Sequence, residues 1–131
     1  MPNKTITPSN TNNLDIAIKN ANGRRTVYIF DVYGESMDNG SIYNAIPNGS
    51  TIHCTKIPKD DWNDQLPNLI HYSCVFVMKD GEIFVKSLLS ISDNSDRLTL
   101  RSLNKNKFFF PDFDIEFDNI ERLYVVDKRV I

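Results

Sequence analysis

SCVFVMKDGEIFVKSLLSI, residues 73–91, is the stretch whose reading decides the fold. Two runs rich in β-branched and aromatic residues, 73–78 and 82–91, flank the bend Lys79-Asp80-Gly81. Asp-Gly between such runs marks a hairpin, because that pair tolerates the positive φ that a tight antiparallel turn needs. The same signal recurs outward along the chain. TVYIFDVY (26–33) is apolar on both faces, and STIHCTKI (50–57) alternates until Pro58 ends it. SDNSD (92–96) is a turn ahead of RLTLRSL (97–103), and IERLYVVDKRVI (120–131) supplies a last strand. FFFPDFDIEF (108–117) is apolar but broken by Pro111, which predicts an edge or irregular segment. The reading is a mostly β fold of short strands.

The remaining segments are polar. MPNKTITPSNTNN (1–13) has two prolines and no periodicity, and reads as an extended or mobile arm. LDIAIKN (14–20) places Leu14, Ala17 and Ile18 on one helical face, with Asn12 or Asn13 to cap it and Asn22-Gly23 to stop it. Residues 1–25 are therefore expected to be an arm with one short helix, and 26–131 the folded domain. DDWNDQLPNLI (60–70) is a polar insertion, a loop or single helical turn, with Trp62 expected at an exposed contact surface.

A chain of 131 residues is one domain with room for a real core. Hydrophobic residues make up 40% and charged residues 24%, ordinary for a globular protein. A net charge of −2 argues against a nucleic-acid-binding surface, which normally carries a basic excess. CVFVM (74–78) and FVKSLLSI (84–91) are too short to span a bilayer, and no basic-then-apolar leader opens the chain. Two cysteines, Cys54 and Cys74, make no disulfide framework, so a reducing cytoplasm is the expected compartment. No cofactor is implied.

Candidate chemistry starts at VYGESMD (32–38), where an apolar run ends in Gly34 and Ser36. A turn whose serine caps a short helix is one reading; a strand that ends by presenting a nucleophile is the other. A nucleophilic serine needs a base. His53 and His71 are the two histidines, but a triad also needs an orienting carboxylate that the spacing does not specify. A lysine base must be kept neutral, which burial does by disfavouring the ammonium. Lys4, Lys19, Lys56, Lys59, Lys105, Lys107 and Lys128 stand among polar neighbours, and Lys79 sits in the hairpin bend. Lys86 differs, because strand geometry puts it on one face with Phe84 and Leu88. The alternative is an outward lysine whose stem passes apolar neighbours on the way to water. His53-Cys54 and His71-x-x-Cys74 lack the paired spacing of a zinc site, so no metal is expected. Phe108-Phe109-Phe110 reads as a core or dimer-interface anchor.

Taken together, Gly34-Glu35-Ser36-Met37, Val85-Lys86-Ser87-Leu88 and the stretch from Ser102 to Pro111 resemble the motifs of the S24 peptidase domain. That family includes LexA, the lambda-type phage repressors and the UmuD mutagenesis proteins. The resemblance covers about residues 26–131 and implies a LexA/signal-peptidase-like β fold with a Ser36–Lys86 dyad. Gly34 and Met37 would give backbone and oxyanion support. It further implies self-cleavage, a homodimer, and a RecA-type filament as the trigger. DNA would be bound only through an N-terminal domain outside these residues. The separation of Ser36 from Lys86 is longer than in LexA, with DDWNDQLPNL as an inserted loop and Asn48-Gly49-Ser50 in place of an acidic-Gly-Asp turn. No Ala-Gly or Cys-Gly cleavage dipeptide occurs, and Ser36 lies so near residue 1 that the resemblance puts the expected cut at or before Met1. A stand-alone UmuD-like polymerase accessory subunit and a catalytically idle dimerisation module are the alternatives.

Overall fold

In the computed structural model, residues 6–8, 15–20 and 23–130 are described, with side chains over 26–130. The fold is mostly β. Its strands are β1 (Ile6–Pro8), β2 (Asp15–Asn20), β3 (Gly23–Val32), β4 (Thr51–Lys56), β5 (Ser73–Met78), β6 (Ile83–Ile91), β7 (Arg97–Arg101), β8 (Phe113–Glu116) and β9 (Ile120–Val130). They form one sheet in the order β1-β3-β4-β9-β5-β6-β7-β8, with β2 also on β3. Every named strand pair is antiparallel.

The 73–91 hairpin forms as its sequence requires. Gly81, at φ 95°, donates its N–H to Met78 O, and the Asp80 carboxylate accepts from Glu82 N. β5 is buried along nearly its whole length because the sheet has a core on each side. Cys74, Phe76 and Met78 join Phe84, Leu88, Leu98, Leu100 and Leu123 in one cluster. Val75 and Val77 join Phe30, Ile52, Met37, Val85 and Tyr124 in the other. The strict alternation follows from the two-residue period of a strand. Register shifts at His53/Cys54, Val77/Met78 and Leu88/Ser90 bend β9 and β6 and let the sheet curl over both cores. β8 is the edge strand that Pro111 foretells.

Three expectations are corrected. Residues 15–20 of the expected helix are strand β2, paired with β3 so that Asn20 faces Gly23. Ile16 and Ile18 stand two apart, a helix so short is marginal in water, and the open edge of β3 offers the segment a ladder. Asn22-Gly23, read as a helix stop, is equally a hairpin signal. Leu14 and the proposed caps Asn12 and Asn13 lie outside the described residues, as does most of the 1–13 arm; its described part, β1, is extended and paired. β3 begins at Gly23, so the 25/26 boundary falls within a strand.

The second correction is Trp62, which is 2% exposed rather than at a surface. It opens helix α1 (Trp62–Gln65), flanked by 3-10 turns at Lys59–Asp61 and Leu66–Leu69. Its ring meets Phe117 edge-on at 5.7 Å, and its Nε1–H donates to Ile57 O at 2.9 Å. Polar neighbours on the outer side of the helix hide an apolar inner side formed by Trp62, Leu66 and Leu69. The third is the core half of the Phe-triplet reading: Phe108 is 87% and Phe109 59% exposed, so neither is core, and the dimer-interface alternative is the one compatible with that exposure. A turn closed by Phe110 N–H to Asn106 O carries them outward.

Trp62→Ala is expected to cost about 3 kcal/mol or more of unfolding free energy, the cost of a cavity plus a stranded carbonyl. Urea unfolding followed by circular dichroism reads this; a loss of less than about 0.5 kcal/mol, as at a solvent-facing position, would contradict the burial.

Candidate active site

The Ser36 segment begins where β3 runs out. Val32 N–H donates to Ser50 O and Gly49 N–H to Val32 O, both at 2.8 Å, so the 47–50 turn clamps the strand end. Gly34, at φ 91°, then turns the chain, in a backbone region that a side chain disfavours. Its N–H donates to Asn48 Oδ1 at 2.8 Å. Met37 is 1% exposed and packs with Phe30 and Ile52, which anchors the residue after the serine. Ile46 N–H donates to Met37 O at 2.8 Å. From the other side, Asn104 donates its N–H to Ser36 O at 2.8 Å and its Nδ2–H to Glu35 O at 2.9 Å. The serine is thereby pinned on both flanks.

β6 delivers the lysine. Lys86 faces Cys74 across the β5–β6 ladder, on the side where Cys74, Phe84 and Leu88 are core. Leu88 pairs with Leu100 on β7, so two residues further on Ser102 comes opposite Lys86. Lys86 Nζ lies 2.8 Å from Ser36 Oγ and 3.0 Å from Ser102 Oγ. All three residues are 0% exposed. The outward alternative for Lys86 is excluded by that burial. The amine has two hydroxyls and no carboxylate among its hydrogen-bond partners in the described residues. Burial first, and the nearby Lys107 ammonium second, push Lys86 down from 10.5 to about 8.

A protonated Lys86 donates to both hydroxyls. Once neutral, it can keep donating to Ser102 and accept from Ser36, which is the arrangement for drawing off the Ser36 proton. The N–H groups of Ser36 and Met37 have no hydrogen-bond partner among the described residues, whereas that of Gly34 is occupied by Asn48. Among the described residues the Met37 N–H is thus an unpaired donor beside the serine, and Gly34 contributes its conformation.

Comparison with family models, with curated proteins and with solved structures finds no match to this chain. The site stands on its geometry alone.

The two residues singled out by the sequence meet. His53 lies across from Lys128 in the β4–β9 ladder; burial and Lys128 lower its pKa, with Asp127 opposing. His71, at φ 73°, lies in the turn ahead of β5. Cys54 and Cys74 are free, buried thiols; burial pushes Cys74 up to about 12 and raises Cys54 further. Among the described residues no three His, Cys, Asp or Glu side chains converge, and no helix is long and apolar enough to cross a membrane. Ser102, Asn104 and Asn48 were not singled out for roles at the site. Ser102 and Asn104 lie within the stretch that carries the family resemblance, and the β6–β7 register is the signal that places Ser102.

The burial of Lys86 has a consequence for stability. Its folded pKa lies below the unfolded value, so the folded state binds fewer protons between about pH 8 and 10.5, and stability rises with pH through that window. Below it the cost of a buried ammonium is fully present. Relative to Lys86→Met, the wild type is expected to gain about 3 kcal/mol as pH climbs from 8 to 10.5. Paired urea titrations measure the difference, and a difference that stays flat with pH would mean an ordinary hydrated amine.

Proposed function

We propose that this chain is a Ser–Lys peptidase domain of the LexA and phage-repressor type, acting on its own polypeptide and dimerising. The observation that carries the reading is the 2.8 Å contact between the Lys86 amine and the Ser36 hydroxyl in a site closed to water. A lysine placed there for packing alone is costly, because a buried cation without a carboxylate loses its hydration uncompensated. As a general base the same burial is useful, since it brings the pKa towards neutrality.

The chemistry follows from the proton positions. Neutral Lys86 takes the Ser36 Oγ proton as Oγ bonds to a peptide carbonyl carbon. The negative charge that develops on the carbonyl oxygen has the unpartnered Ser36 and Met37 N–H groups within the same turn. Collapse breaks the C–N bond, with the Lys86 ammonium returning its proton to the leaving amine. As the leaving segment departs it opens the site to water, which gives a proton to Lys86 and attacks the ester carbon; the Ser36 Oγ–C bond breaks and Lys86 returns that proton to Oγ. Ser102, hydrogen-bonded to Nζ throughout, keeps the amine aimed at Oγ.

Support for a substrate within the same chain comes from the arm. β1 pairs with Phe30–Val32, the part of β3 that leads to Ser36, and lies against β6, which bears Lys86. β1 thus runs beside the strand that leads to Ser36 and against the strand that bears Lys86.

With an extension fused ahead of Met1, the protein is expected to release it on incubation at alkaline pH. The rate should rise about tenfold from pH 7 to pH 9 and level off, following the neutral fraction of a lysine near 8. Mass spectrometry of the products measures this. Ser36→Ala should abolish cleavage, and Lys86→Met should lower it by at least about a hundredfold. Cleavage that persists unchanged in either variant would refute the dyad, and none in the wild type at any pH would favour an idle module.

A further inference from the structure

Lys107 stands outside the dyad and is tied into it. Its Nζ donates to the carbonyl oxygen of Ser102 at 2.5 Å, and the hydroxyl of that same Ser102 holds Lys86 Nζ at 3.0 Å. On its outer side, Lys107 Nζ lies 3.6 Å from Asp112 Oδ1, the oxygen that also meets Arg101 Nε at 3.6 Å. The Lys107 side chain is 43% exposed and that of Asp112 33%, so a surface ion cluster is joined to a fully buried amine through a single residue.

We infer that Lys107, balanced by Asp112, is a positioning residue that sets from the protein surface how readily Lys86 gives up its proton. Two cations held near one another disfavour each other, and the one that can lose its charge responds. Lys86 is the one placed to do so, being buried, while Lys107 keeps contact with water. Asp112 offsets part of the Lys107 charge and restrains its position. The other charged or titratable groups around Lys86 are arranged differently. Cys74, across β5, stays a neutral thiol because of its burial. Arg101 projects from β7 opposite Ser87 and is exposed; Glu35 and Asp38 flank Ser36, and Lys105 is exposed in the loop. Of these groups, Lys107 is the one whose ammonium reaches the residue that holds Lys86 Nζ, and its charge pushes the Lys86 pKa down alongside burial.

The arrangement makes the loop after Ser102 a control point. An anionic group drawn to Lys107 and Arg101 would weaken the field on Lys86 and slow its deprotonation; loss of the Asp112 charge would do the reverse. The bearing of this on cleavage rests on the peptidase reading above, whereas its bearing on the Lys86 titration does not.

The test follows Lys86 itself. In the intact chain, its side-chain Cε signal is tracked by NMR across roughly pH 6 to 11, and assigned by its absence in Lys86→Met. Lys107→Met is expected to move the midpoint upward by about half a pH unit at low salt. Lys107→Arg should leave it near the wild-type value, and Asp112→Asn should move it downward. About 0.5 M salt should shrink both shifts, since the cluster is exposed. Where cleavage is observed, Lys107→Met should slow it about threefold at pH 7 and leave the alkaline plateau alone. A Lys107→Met midpoint equal to wild type would overturn the inference, as would an Asp112→Asn shift in the same direction or an arginine variant that shifts as far as methionine. Midpoints that move in a protein that never cleaves would leave the inference standing and remove the peptidase reading; cleavage with immobile midpoints would do the opposite.

Discussion

A fully buried amine whose hydrogen-bond partners among the described residues are hydroxyls is the constraint on which the site depends. Lys86 is 0% exposed, with Ser36 and Ser102 as its hydrogen-bond partners. An ammonium in such a place gives up hydration that two neutral oxygens do not restore. Among the described residues no carboxylate hydrogen-bonds to it, and burial shifts its protonation equilibrium towards the neutral amine, down to about 8. The charge of another cation, Lys107, pushes in the same direction.

Keeping that amine dry is the work of the sheet. A flat sheet would leave one side of β6 open, but the register shifts on β9 and β6 curl it so that both sides of β5 are core. Lys86 occupies a position that its neighbours Phe84 and Leu88 fill with apolar bulk. The Ser36 segment closes over the amine from β3, held by Met37 in one core and by Asn104 through two backbone carbonyls. Ser36 thus has little freedom to move away, and the short distance to Lys86 is a property of the packing of three elements rather than of a mobile loop.

The loop that follows β7 serves two purposes in a few residues. Ser102 and Asn104 face inward and fix the lysine and the serine segment, while Lys107 and Asp112 face outward and set the local field. Phe108 and Phe109 ride on the same loop in full view of solvent. Charge, geometry and exposed apolar surface therefore meet at one place beside the dyad, where the interior can be influenced without being opened.

By itself the sequence determined what short-range chemistry can determine. The Lys79-Asp80-Gly81 bend and its flanking runs specify a hairpin, Pro111 marks an edge or irregular segment, and alternation puts Lys86 on one face with Phe84 and Leu88, because these signals are local; whether that face turns inward was left to the fold. It left the 14–20 segment ambiguous: Ile16 and Ile18 serve a strand as well as a helix, and the open edge of β3 decided between them. Trp62 escaped for the same reason, since polar neighbours in sequence say nothing about the apolar surface of Phe117 and Leu66 that folding brings to it. Only tertiary structure could set Ser36 against Lys86, bring Ser102 to the same amine, and tie Lys107 to Ser102. Those contacts join segments from β3, β6 and the loop after β7, and their distances depend on ladder register and sheet curvature, which arise from the whole set of packed strands.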